Sequence, residues 1–167
     1  MQPLSHIDAH GQPGMVDVGS KPQTHRNATA QARVQFPADV ARQLRASGHE
    51  TKKGPVLTTA RIAAVMAAKQ THQLIPLCHP LAIQRCDVDI QMEGDALVIR
   101  CEVACHGSTG VEMEALTAAS VAALTVYDMC KALSHDIVIG DVRLLSKSGG
   151  RRDFAAEAAS DSEGAAR

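Results

Sequence analysis

Residues 28–36 alternate Ala30, Ala32, Val34 and Phe36 with Gln31, Arg33 and Gln35, the two-residue period of a half-buried strand, and Pro37 ends it. A short helix over 39–45 follows. Residues 46–55 hold Ser, Gly, His, two Lys and Pro, which predicts an exposed, mobile basic loop. Over 58–73 the pattern becomes helical, with Ile62, Val65, Met66 and Lys69 three or four apart and a Thr available to cap the start; Pro76 and Pro80 stop it. Cys86, Val88, Ile90 and Met92 then alternate with Asp87, Asp89, Gln91 and Glu93. After Gly94-Asp95 the alternation resumes through Leu97, Ile99, Cys101 and Val103, the clearest hairpin in the chain. A long helix rich in Ala, Thr and Ser is expected over 112–133, and a last strand over 137–145. The small residues of that helix permit close approach of a neighbour, so it belongs at the centre or at a subunit contact.

Strand, helix, two paired strands, helix, strand is the order of the split β-α-β plan. The expected fold is therefore α+β and ferredoxin-like, an antiparallel sheet with helices packed on one face. The 167 residues suit one domain, placed at 15–154 between a flexible N-terminal segment (1–14) and a small, acidic, disordered tail (155–167).

Composition sharpens this in two respects. Aromatic residues are 2% of the chain, so a core of Ala, Val, Leu and Ile is thin, and subunit contacts are expected to supply the missing burial. The 17 Lys+Arg against 18 Asp+Glu leave a net charge of -1, which argues against a globally basic nucleic-acid binder. There is neither a basic start followed by an apolar run nor an apolar stretch near the roughly 18 to 20 residues of a membrane helix, so a soluble, cytoplasmic protein is expected. Five Cys without framework spacing are read as reduced thiols. Cys101 and Cys105 share a strand face but lie about 13 Å apart, too far to ligate one Zn²⁺, and are expected to be buried thiols.

Polar residues that a plain scaffold does not need collect around Asp17, Lys21 and Arg26; Lys52 and Lys53 beside Gly54; Cys78-His79-Pro80; Glu112-Met113-Glu114; Asp128 and Lys131; and Lys147 before Ser148-Gly149-Gly150. Asp128 and Lys131, three apart on a helix, form either a surface ion pair or a proton-transfer pair in a cleft, where burial and nearby cations would move the lysine towards useful acidity. Glu112 and Glu114 are either favourably placed first-turn carboxylates or site residues. His79 is either a satisfied, partly buried histidine or part of a stiff binding edge. Neither a Walker loop nor a dinucleotide Gly fingerprint is present, so any phosphate must meet scattered basic side chains. An unbroken helix from Glu112 to Lys131 puts its ends about 28 Å apart. One small-molecule site cannot include both ends, so either the Glu pair is structural or the site is composite, with opposite helix ends from two subunits.

The strings MVDVGSK, TARIAAVMAAK, LIPLCHPL, TGVEMEALTAASVAALTVYDMCKA and VRLLSKSGG, in this order, resemble the MoaC family of cyclic pyranopterin monophosphate synthases in molybdenum cofactor biosynthesis. The resemblance covers roughly residues 4–154. It implies a lyase taking (8S)-3',8-cyclo-7,8-dihydroguanosine 5'-triphosphate to cyclic pyranopterin monophosphate and diphosphate. It also implies a ferredoxin-like subunit in a homohexamer, a trimer of dimers with active sites at the dimer interface, and neither metal nor organic cofactor. Carried over residue by residue, it makes Asp128, Lys131 and Lys53 catalytic. Leu77, Cys78, His79, Glu112, Met113 and Glu114 become substrate-binding, with Arg26 and Lys147 facing the triphosphate. Two positions depart from the family's common strings: Ser108, where a basic residue often stands, and Pro55, where KGDV is common. The reading from a different class is a non-catalytic ferredoxin-like module that binds a phosphorylated nucleotide or pterin.

Overall fold

The computed structural model describes residues 11–156. The element order is β1 (Thr24–Gln35), α1 (Ala38–Ala46), β2 (Glu50–Thr51), β3 (Gly54–Pro55), α2 (Val56–Leu74), β4 (Arg85–Glu93), β5 (Ala96–Gly107), α3 (Glu112–Cys130), β6 (Val138–Ser148) and β7 (Phe154–Ala155). The main sheet runs β4-β5-β1-β6-β7 with every neighbouring pair antiparallel. It is an α+β arrangement, and the order of its four long strands is consistent with the ferredoxin-like expectation. Residues 1–10 of the expected N-terminal segment and 157–167 of the expected tail lie outside the described residues. Ala155, assigned to that tail, pairs with Ser146 in β7.

Period-2 patterning explains the sheet. Ala28, Ala30, Ala32 and Val34 of β1 and Leu97, Ile99, Cys101, Val103 and Cys105 of β5 are all buried in the core with α2 and α3. The opposite face carries Gln31, Arg100 and Glu102, with Arg85 bonded to both Asp87 and Glu102. Both cysteines of the expected thiol pair, Cys101 and Cys105, are free and buried.

The helices differ from expectation in three respects. No side chain caps α2: Pro55 holds the N-cap position and Thr59 Oγ1 instead donates to the Pro55 carbonyl at 2.7 Å. Its bulky stripe faces away from the core, with Ile62 58% and Met66 54% exposed, while Ala60, Ala64, Ala68 and Thr71 are the buried positions. Alanine makes the inner stripe because α2 packs closely on α3, whose Ala115, Ala118, Ala119, Ala122 and Ala123 are all buried. Helix α3 ends at Cys130, short of Leu133, with the Lys131 N–H donating to Tyr127 O at its end.

The expected mobile loop is a small hairpin. The two strands pair Glu50 with Pro55 and Thr51 with Gly54, and the Lys53 N–H donates to Thr51 Oγ1 at 3.2 Å. His49, at φ 65, ties this hairpin to both helices: its N–H donates to Leu44 O, and its carbonyl accepts from Val56 N.

Candidate active site

A cavity of about 470 Å³ opens at the N-terminal end of α3. Its wall includes Arg26, Leu77, Cys78, His79, Glu112, Met113, Glu114 and Lys147, so all eight expected substrate-binding residues converge on one concavity. Four elements deliver them: the start of β1, the Pro-bounded segment between α2 and β4, the first turn of α3, and the end of β6.

Four of the eight side chains have an identifiable polar anchor. A ring nitrogen of His79, Nε2, lies 2.8 Å from the Val16 carbonyl, so the segment before β1 forms part of the wall. Arg26 donates from Nε to Gly107 O at 3.2 Å and from Nη2 to Ser108 O at 3.3 Å, and so braces the turn that leads into α3. Lys147 Nζ lies 2.8 Å from Glu112 Oε1. Glu112 folds back over Gly110, where any β-carbon would collide with its carboxylate. Glu114 is 4% exposed, and burial, with the neighbouring Glu112 charge, raises its pKa to about 7. Burial first, then the Glu114 charge, raises the Cys78 thiol as well.

The three expected catalytic residues lie elsewhere, at the C-terminal end of α3. Asp128 receives Lys53 Nζ at 2.7 Å on Oδ2 and Lys131 Nζ at 2.8 Å on Oδ1. It is therefore Lys53 of the two adjacent lysines that reaches the aspartate. Hydrogen bonds from Lys131 and Lys53 hold the Asp128 carboxyl at about 2, and the bond to Asp128 raises the Lys131 pKa. Within one chain the pair is the surface ion pair of the two alternatives: the Lys131 side chain is 48% exposed beside an anion, which stabilises the ammonium. Lys53 also borders a second concavity of about 570 Å³, with Met129 and Leu133.

Several wall residues were missed from the sequence. Lys21 stands in a polar cluster of the sequence that assigns it no role, and nothing in the local pattern marks Val16, Val18, Thr109 or Arg151. Arg151 directly follows the Ser148-Gly149-Gly150 run, the nearest motif to it in the chain. Among the described residues no group of three or more His, Cys, Asp or Glu is arranged to hold a metal ion.

The sequence model described as the MoaC family matches residues 15–150. The chain belongs to the MoaC family. Within it, the cyclic pyranopterin monophosphate synthase of Xanthomonas oryzae pv. oryzae is 59% identical over 154 residues, covering 92% of this chain and 93% of that protein. The protein of the same name from Xanthomonas axonopodis pv. citri is 58% identical over 154 residues. Molybdenum cofactor biosynthesis protein 1 of Drosophila melanogaster is 53% identical over 156 residues, which are 27% of its length. Similarity to members of the MoaC family thus includes both helix ends and the chain between them.

Proposed function

We propose that this MoaC-family chain is a lyase that converts (8S)-3',8-cyclo-7,8-dihydroguanosine 5'-triphosphate to cyclic pyranopterin monophosphate with release of diphosphate, in molybdenum cofactor biosynthesis. The observation that carries the reading is the convergence of eight matching residues on one cavity, with a Lys-Asp-Lys cluster at the far end of the same helix. The cavity offers what the substrate needs: cations for phosphates, and Glu114, His79 and Met113 for the pterin-forming rings.

The reaction opens and recloses rings by proton transfer. A ribose-derived oxygen then attacks the α-phosphorus, losing its proton, while the bond to the β-phosphate breaks and diphosphate leaves with the electron pair. Lys131 serves as general acid, Asp128 orients it, and Lys53 promotes closure of the cyclic phosphate. Glu114, titrating near neutrality, can exchange a proton with a ring nitrogen.

Two helix ends about 28 Å apart serve one substrate only if two chains meet. The site is accordingly composite, with His79, Glu112, Glu114, Arg26 and Lys147 from one protomer and Lys53, Asp128 and Lys131 from another, in a homohexamer built as a trimer of dimers. The exposed Ile62, Met66 and Leu124 on α2 and α3 support such burial. No helix among the described residues is long and apolar enough to cross a membrane, which accords with a cytoplasmic enzyme.

Purified full-length protein is expected to turn the cyclised triphosphate into the cyclic monophosphate with one diphosphate per product, read by chromatography and a coupled diphosphate assay. Binding without diphosphate release would instead assign a non-catalytic module.

A further inference from the structure

The chain crosses from α1 to α2 through a junction whose local cost is concentrated in one residue. Helix α1 ends in a Schellman arrangement: Gly48 N–H donates to Arg45 O at 3.1 Å and His49 N–H to Leu44 O at 2.9 Å. Gly48 and His49 both have φ 65, and only at Gly48 does the residue type make that conformation free of steric cost. His49 carries a second cost. Its Nε2 is shielded from solvent and has no hydrogen-bond partner among the described residues, although a ring nitrogen is always a donor or an acceptor.

What His49 secures lies one step further along the chain. Its carbonyl accepts from the N–H of Val56, the first residue of α2, at 3.0 Å, which closes residues 50–55 into an arm with His49 and Val56 at its base. Glu50 pairs with Pro55 and Thr51 with Gly54, so Lys52 and Lys53 form the tip. There Lys53 Nζ donates to the Asp128 carbonyl at 2.9 Å and to Asp128 Oδ2 at 2.7 Å. The arm is thus tied to α1 and α2 at its base, and to the C-terminal end of α3 through one side chain.

We infer that His49 is a positioning residue for Lys53: its left-handed backbone sets the direction in which the arm leaves α1, and so whether the Lys53 ammonium reaches Asp128. The tip lies four residues beyond His49, roughly 13 Å at ~3.3 Å per residue, so a rotation of about ten degrees at the base carries Lys53 about 2 Å. A hydrogen bond does not survive that displacement. For a group that takes part in the chemistry, misplacement by about 1 Å already costs up to roughly a hundredfold in rate. The inference rests on the lyase reading above for the role of Lys53.

The test compares full-length wild type with His49→Val, His49→Asn, Lys53→Ala and the His49→Val/Lys53→Ala double variant. Valine is β-branched and resists a positive φ, whereas asparagine takes it readily. Turnover of the cyclised triphosphate is measured beside acetylation of Lys53 relative to Lys52 by dilute acetic anhydride, read by mass spectrometry, since an ion-paired ammonium acylates slowly. His49→Val is expected to lower kcat roughly tenfold or more with KM within about twofold, and to raise Lys53 labelling as its ion pair is lost. His49→Asn should restore both. In the Lys53→Ala background His49→Val should cost nothing further, because its effect passes through that side chain. A kcat for His49→Val within about twofold of wild type overturns the inference, as does an equal loss with Lys53 absent, or Lys53 labelling that does not change. Should His49→Val fail to fold, His49→Gly takes the positive φ but leaves the junction free to depart from it. That variant is expected to show the same two effects at smaller size, and wild-type Lys53 labelling in it overturns the inference. A wild type that leaves the cyclised triphosphate intact overturns the lyase reading, and Lys53 labelling then decides the positioning role alone.

Discussion

Glu114 carries its carboxyl into the protein interior, and its pKa of about 7 lies above the ordinary 4.5. Between those values the folded state keeps a proton that the unfolded chain releases, so stability falls as pH rises through this window and stays at the lower level above it. Glu114→Gln has no charge to bury, and urea denaturation across the same window should show a flatter profile for it than for wild type. Asp128 behaves oppositely. Its carboxyl, held at about 2 by two lysines, keeps its ion pairs from neutrality down to strong acid, where protonation removes them. Gly149 is a second single-residue dependency: φ is 83, and a β-carbon there would run into the His25 carbonyl. Gly149→Ala is expected to cost about 2 kcal/mol or more in denaturant unfolding and to displace Lys147 and Arg151 beside it.

At the level of elements, the hairpin β4–β5 was legible because Asp87, Asp89, Gln91 and Glu93 alternate with Cys86, Val88, Ile90 and Met92 on β4, Leu97, Ile99, Cys101 and Val103 recur at every second position of β5, and Gly94, at φ 57, makes the turn. The faces of α2 were not. A reader of hydrophobicity selects Ile62, Val65 and Met66, but the close approach of α3 admits only small side chains, so the alanines are inside and Ile62 and Met66 are outside. The same closeness makes Ala119→Leu an overpacking change, expected to lower unfolding free energy by about 1–3 kcal/mol in a urea titration. The 46–55 segment misled in another way. Its composition is that of a loop, yet Ser47 Oγ accepts from Glu50 N at 3.2 Å and His49 adopts a positive φ, local bonds that composition does not reveal.

For the whole molecule, the eight residues that the family resemblance makes substrate-binding line one cavity, and helix length alone separates Glu112 and Glu114 from Asp128 and Lys131. Arg151 was not legible because the turn after β6 brings it to the cavity wall, a placement that spacing along the chain does not show. The proposed two-chain site makes a direct prediction. Lys131→Ala and His79→Ala proteins should each be nearly inactive, yet mixed after dissociation and reassembly they should recover about a quarter of wild-type activity, since random pairing leaves one intact site in each mixed dimer. Activity that stays at the level of the separate variants would place both halves within a single chain.

In the proposed two-chain site, helix α3 is a rod that presents a grip to one site and a proton donor to another. A lone chain with this layout holds half of each constellation. Specific activity is therefore expected to decline on dilution, as loss of encounters between chains removes whole sites. Under that arrangement abundance in the cell sets the rate twice, once as the quantity of chain and again as the probability that each chain has met its counterpart.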